Sequence, residues 1–106
     1  MICIHISKDY SKIPGGRYIK DGPFSGEEFR ETILRPKFLE AKQQNTTLQV
    51  NLDGGYGYGS SFLEEAFGGL ARELKDPAIL RIEIISEEET ILISQITKYI
   101  EEGLKG

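Results

Sequence analysis

The chain has no tryptophan, one cysteine, one histidine and one methionine among its 106 residues. With Cys3 alone, no disulfide can close within the chain and no thiolate cluster can hold a metal. Its alternation with Ile2 and Ile4 makes Cys3 a packed strand residue and not a reactive thiol. His5 has no second imidazole to complete a common metal site, so neither a metal ligand nor a catalytic residue is assigned from it. No apolar run approaches the length of a membrane span. The opening Met-Ile-Cys-Ile-His-Ile-Ser lacks the basic and long apolar regions of a secretory signal. These absences predict a cytoplasmic protein of prokaryotic type without membrane contact. Positive charge is also scarce, with 13 Lys and Arg against 17 Asp and Glu for a net charge of −4. Neutralising phosphates needs a clustered basic face, which the sequence does not offer, so nucleic acid is not an expected partner.

What is present is ordinary soluble composition, 39% hydrophobic and 28% charged, in a length that suits one domain over residues 1–106. Charge is unevenly spread: residues 1–46 hold 8 bases and 6 acids, and residues 47–106 hold 5 bases and 11 acids. The small basic excess of the first part reads as solvated surface.

The most informative stretch runs from Leu48 to Leu74. Leu48, Val50 and Leu52 alternate with polar residues, the period of a half-buried strand. Phe62, Leu63, Ala66, Phe67, Leu70, Ala71 and Leu74 recur at helical spacing. A glycine loop joins the two, at the carboxyl end of a strand, where open α/β sheets meet ligands and partners.

Around it, Ile2 to Ile6 reads as a first strand. Turn signals at Pro14-Gly15-Gly16 and Asp21-Gly22-Pro23 bracket a short second strand at 17–20, paired with the first as a hairpin. Arg17 beside two glycines reads as a solvated side chain or as an anion contact. Ser25 and Glu28 have capping-box spacing and open a helix that Pro36 ends. A further short turn, Lys37 to Gln43, turns Phe38, Leu39 and Ala41 inward. Asp76-Pro77 stops the central helix, Arg81 to Ile85 forms the last strand, and Ser86 with Glu89 caps a final helix over 87–102. Thr90 to Ser94 can alternatively be read as a hairpin strand. The resulting class is α/β, with order β-β-α-β-α-β-α and a mixed four-stranded sheet packed by helices.

Gly55, Gly57 and Gly59 do not have the spacing of a dinucleotide site, and no Gly-Lys-Ser or Gly-Lys-Thr follows them as in a nucleotide-triphosphate loop. Glycine N–H groups turned toward one point, with the helix N-terminus at Ser60 and Ser61, suit phosphate or a nucleotide bound weakly. The bland alternative is a tight strand-to-helix turn. Ser61, with Glu64 three residues on, has the spacing of an N-cap and leaves Ser60 as the freer hydroxyl. Tyr56 and Tyr58 read as partner contacts, or as a lid folded over the sheet end. Gly68-Gly69 inside the helix implies a close backbone approach. A hydrolase using Ser60 would need the fold to bring His5 beside it, since no base lies near in sequence.

Two stretches, Asp21-Gly-Pro-Phe-Ser-Gly-Glu-Glu-Phe-Arg30 and Leu52-Asp-Gly-Gly-Tyr-Gly-Tyr-Gly-Ser-Ser-Phe-Leu-Glu-Glu-Ala-Phe-Gly-Gly-Leu70, resemble the STAS-like domain family of unknown function, over about residues 15–102. The resemblance implies the fold of anti-sigma-factor antagonists, in which a strand, loop and helix carry a serine phosphorylated by a partner kinase. Ser60 and Ser61 fall where that serine motif lies, with Gly59 in place of its acid and Phe62 in place of its following glycine. The expected function is a non-catalytic regulatory or protein-interaction module without cofactors, in which a kinase or regulator meets Gly55, Tyr56, Gly57, Tyr58, Gly59, Ser60 and Ser61. Phosphorylation is expected at Ser60 or Ser61. The alternative is a phosphate- or nucleotide-binding domain using the same loop.

Overall fold

Leu48 and Val50 are buried while Gln49 and Asn51 are half exposed, so the alternation of the middle strand separates a packed face from an open one. A computed structural model describes residues 1–106. Strands β1 (Ile2–His5), β2 (Leu48–Asn51) and β3 (Glu83–Ile85) form a sheet of order β1-β2-β3, parallel throughout. The register sets Ile4 beside Val50 and Val50 beside Ile84 on the packed face. Cys3, Gln49 and Glu83 form a polar row on the other, where Gln49 Nε2 donates to Glu83 Oε1 over 3.3 Å. Cys3 is exposed there, contrary to the packed thiol its alternation suggests. Parallel sheets are usually covered on both faces, and this one is covered on one.

The fourth strand expected at 17–20 does not form, so the sheet is three-stranded and parallel, not four-stranded and mixed. Ile19–Asp21 is a 3-10 turn. Asp21 Oδ2 accepts the Tyr18 N–H and Glu27 Oε1 accepts the Ile19 N–H, which consumes the donors a ladder would need. β1 instead runs into a single helical turn, α1 (Ile6–Asp9).

Pro36 does not end the helix that begins at Gly26. Residues 26–43 are continuous as α2, with a π segment at Arg30–Leu34. Ser25 caps it, its Oγ accepting the Glu28 N–H at 3.0 Å. The π turn closes the Arg35 N–H on the Arg30 carbonyl and widens the helix where the ring of Pro36 and its missing donor would break an α turn. Phe38 and Ala41 face the core as expected, whereas Leu39 is exposed. The central helix α3, residues 60–74, carries its own π segment at Glu64–Gly68 and ends at Lys75 in the left-handed conformation. After a 3-10 turn at Pro77–Arg81 and β3, the last helix α4 (Ile91–Lys105) starts four residues later than the expected Glu87. Ser86 Oγ donates to the Glu89 carbonyl and does not cap a helix. Thr90 to Ser94 enters this helix and forms no strand.

α3 lies at the centre of the helical layer. Phe62, Leu63, Ala66, Phe67, Leu70 and Ala71 are buried. Phe29 of α2 meets Phe62 and Phe67 at ring separations of 5.8 and 6.4 Å, and Tyr10 meets Phe29 at 5.2 Å. Each ring buries a large apolar surface, so this cluster is a major part of the contact between α2 and α3. Glycines set the spacing between helices: a Cβ on Gly26 would stand 2.5 Å from the Phe62 carbonyl oxygen, and one on Gly103 would stand 2.6 Å from that of Gly68. Of the pair Gly68-Gly69, Gly68 serves a close backbone approach, a Cβ on it standing 3.2 Å from the Tyr99 carbonyl oxygen of α4, whereas Gly69 faces the Arg30 side chain. No helix is long and apolar enough to cross a membrane.

Candidate functional site

The chain leaves β1, β2 and β3 at the same end of the sheet, and Asp53 binds the three exits together. Its carbonyl accepts from Ser7 Oγ at 3.0 Å and lies 2.9 Å from His5 Nε2. A carbonyl only accepts, so Nε2 carries the proton of that contact and is not free to act as a base. The Asp53 carboxylate accepts the N–H groups of Glu87 and Glu88, each at 3.0 Å. Glu88 Oε1 in turn accepts the Gly54 N–H at 2.8 Å. These bonds draw residues 86–89 into a turn and explain the late start of α4. Asp53, Ser7 and Glu88 are not singled out by the sequence, and His5 only as a lone imidazole without an assigned role. Only the position of Asp53 at a strand end pointed toward them.

On this base the glycine loop is shaped by two residues in the left-handed region, Gly54 at φ 92° and Gly57 at φ 133°. A side chain at Gly54 would also meet Ser7 Oγ, at 2.8 Å. The two tyrosines part company. Tyr58 folds back, its hydroxyl donating to the Leu52 carbonyl at 2.7 Å and its ring 6.0 Å from that of Phe62. Burial, reinforced by the charges of Asp53 and Glu88, pushes the Tyr58 phenol well above its usual pKa. Tyr56 points outward and is 80% exposed, while its N–H donates to the Lys12 carbonyl at 2.8 Å. The loop after β1 is therefore a second wall of the same surface.

Gly59, not Ser61, is the N-cap of α3, and no side chain caps that end. The reciprocal bond of a capping box needs a free Glu64, but the Glu64 carboxylate is engaged by Arg17 and Arg72. Both Ser60 and Ser61 are exposed in the first turn. Gly55 and Gly59 complete the outer rim. The space between the loop and the turn before α4, lined by Asp53, Gly55, Gly57, Tyr58 and Glu88 among others, has a volume of about 10 Å³. That is room for about one water and not for a nucleotide.

Arg17 is not an open anion contact: Nη1 lies 2.5 Å from Glu64 and 3.3 Å from Glu65. Behind it Arg30 donates to Glu65 Oε2 at 2.6 Å and to the Glu65 carbonyl at 2.8 Å. Arg35 reaches Glu73 at 2.5 Å. Hydrogen bonding from Arg72, against the opposing effect of burial, holds the Glu64 carboxyl below its usual range. This network fastens the loop after β1 and helix α2 to α3, the element that presents the serines.

A two-layer α/β domain with an outward loop between its central strand and central helix is the class so defined. Residues 25–92 match the family described as a STAS-like domain of unknown function (DUF4325), and the chain belongs to that family. Comparison with curated proteins and with solved structures returns no match.

Proposed function

We propose that the chain is a non-catalytic regulatory module that binds a protein partner through the loop 54–61 and the first turn of α3. The observation that carries this reading is the division of labour in the loop. Asp53 and Tyr58 hold it against the sheet end, while Tyr56, Ser60 and Ser61 face outward with almost no cavity beneath. An outward-facing surface with an exposed aromatic and so little enclosed space suits recognition of another protein better than enclosure of a small substrate. The phosphate or nucleotide reading has less support, because Asp53 and Glu88 flank the loop and the space there is small.

Ser60 is the candidate switch. A phosphate there would add about −1.5 to −2 charges at a helix N-terminus, which tolerates them, so the fold survives while the surface changes sign. Ser60→Ala and Ser61→Ala should each leave the denaturation midpoint near wild type, since neither hydroxyl caps α3. Ser60→Asp should weaken binding of a protein co-purified from the host several-fold, and Ser60→Ala should not. Equal affinity of both variants, with no phosphate on Ser60 or Ser61 in cells, would remove the switch and leave a constitutive binding surface.

A further inference from the structure

β2 begins at Leu48 and β3 at Glu83, at the end of the sheet opposite the glycine loop. Beside those starts, between the last turns of α2 and the 3-10 turn at Pro77–Arg81, lies a cavity of about 330 Å³. Ligand pockets run from about 300 to 1,000 Å³, so this one suits a small organic molecule. Its wall is the edge of the hydrophobic core: Phe38 and Ala41 of α2, Leu48 of β2 and Ile82 before β3. Its rim is made of donors. Asn45, at φ 52°, turns the chain out of α2 and is followed by Thr46 and Thr47, while Arg81 closes the 3-10 turn. The hydrogen bonds at this end of the chain run between backbone groups and through Lys42 and Asp76, and the side chains of these four residues take part in none. Acceptors are consumed instead, since the carbonyls of Glu40, Ala41 and Lys42 take the N–H groups of Gln44, Thr46 and Asn45.

The charges around the cavity leave one cation over. Lys42 Nζ lies 2.5 Å from Asp76 Oδ2, and the two cancel. Arg81 makes no ion pair. It acts on Asp76 only at longer range, adding to the hydrogen bonds from Lys42 and from the Ala78 N–H that hold this carboxyl below its usual range. The other charges of the flanking elements are occupied: Glu40 pairs with Lys37, and Glu83 accepts from Gln49 on the open face of the sheet. The C-terminal end of α2 carries the negative end of the helix dipole, which disfavours a dianion. A single guanidinium fork beside two hydroxyls matches one carboxylate.

We propose that this cavity binds a small organic carboxylate with a compact apolar body, its carboxylate on Arg81 and the hydroxyls of Thr46 and Thr47 and its apolar part against Phe38, Leu48 and Ile82. The site is separated from the glycine loop by the length of the sheet and does not depend on the interaction-module reading.

The test is an amide-shift titration of the full chain at neutral pH with benzoate and hexanoate, compared with benzamide, benzylamine and inorganic phosphate. Benzoate and hexanoate should move Asn45, Thr46, Thr47 and Ile82 saturably and leave residues 54–61 in place. Benzamide keeps the ring and lacks the charge, so it should bind roughly tenfold more weakly. Benzylamine and phosphate should not move these residues. Arg81→Gln should weaken benzoate by about the same factor and leave benzamide unchanged, and because Arg81 is exposed the variant keeps the fold. Ala78→Leu, which fills part of the cavity, should weaken both. No movement of these residues with any probe would overturn the proposal. Benzylamine or phosphate binding there as tightly as benzoate would overturn it too, as would benzoate binding that Arg81→Gln leaves intact. Shifts confined to residues 54–61 would overturn it and return the anion to the glycine loop.

Discussion

Gly26→Leu is expected to lower the unfolding free energy by about 3 kcal/mol, the upper part of the usual overpacking range. Its Cβ would lie 2.5 Å from the Phe62 carbonyl oxygen and 3.2 Å from Glu65 Cβ. Neither side can retreat: Gly26 N–H is bonded to the Gly16 carbonyl at 2.9 Å, and Phe62 is buried in α3. The better helix propensity of leucine returns under about 1 kcal/mol, so the clash prevails. Gly103→Leu, against the Gly68 carbonyl, should cost less because the last turn of α4 can fray. Gly59→Ala is the control, since an added Cβ there meets nothing within 4 Å and φ is −72°. Denaturant midpoints measure all three. A wild-type midpoint for Gly26→Leu would refute the close packing of α2 on α3.

Glu65→Ala should also be costly, by about 3 kcal/mol, because it leaves Arg30 with its charge and without its main partner in a mostly buried position. Arg30 Nε already lacks a hydrogen bond, and Glu73 at 3.4 Å supplies only charge. Glu65→Gln keeps an acceptor in place and should cost less. Acid should loosen the same network through Glu64. Its folded pKa is lowered, so its contribution to stability is present above the unfolded value, about 4.5, and is lost as pH falls through the folded value. Chemical denaturation of wild type and of Glu64→Gln across this window checks the sign: the wild type should lose more stability on acidification.

What could be read from the chain was what depends on local period. The alternation of Leu48, Val50 and Leu52 and the helical spacing from Phe62 to Leu74 placed β2, the glycine loop and α3, and so placed Tyr56, Ser60 and Ser61 on one surface. What could not be read depends on hydrogen-bond and packing partners that residue spacing does not name, several of them distant in sequence. Turn residues around Arg17 to Lys20 looked like strand boundaries, but Asp21 and Glu27 take the N–H groups a strand would have used. Pro36 looked like a helix stop, and a π turn accommodates it. Ser61 had the spacing of a cap, but its Glu64 is claimed by Arg17 and Arg72. Gly26 and Gly103 matter only once α2 and α4 cross α3, and Asp53 only once the exits of three parallel strands meet.

The surface around Tyr56 is the central claim, and site-specific photo-crosslinking in the native host tests it most directly. A photoreactive residue replaces Tyr56 in one variant and Glu83, exposed on the open sheet face, in the other. The account predicts a single protein adduct from position 56, competed by excess wild-type chain, and none from position 83. An adduct from position 83 with none from position 56 would contradict it and move the working surface to the open face of the sheet.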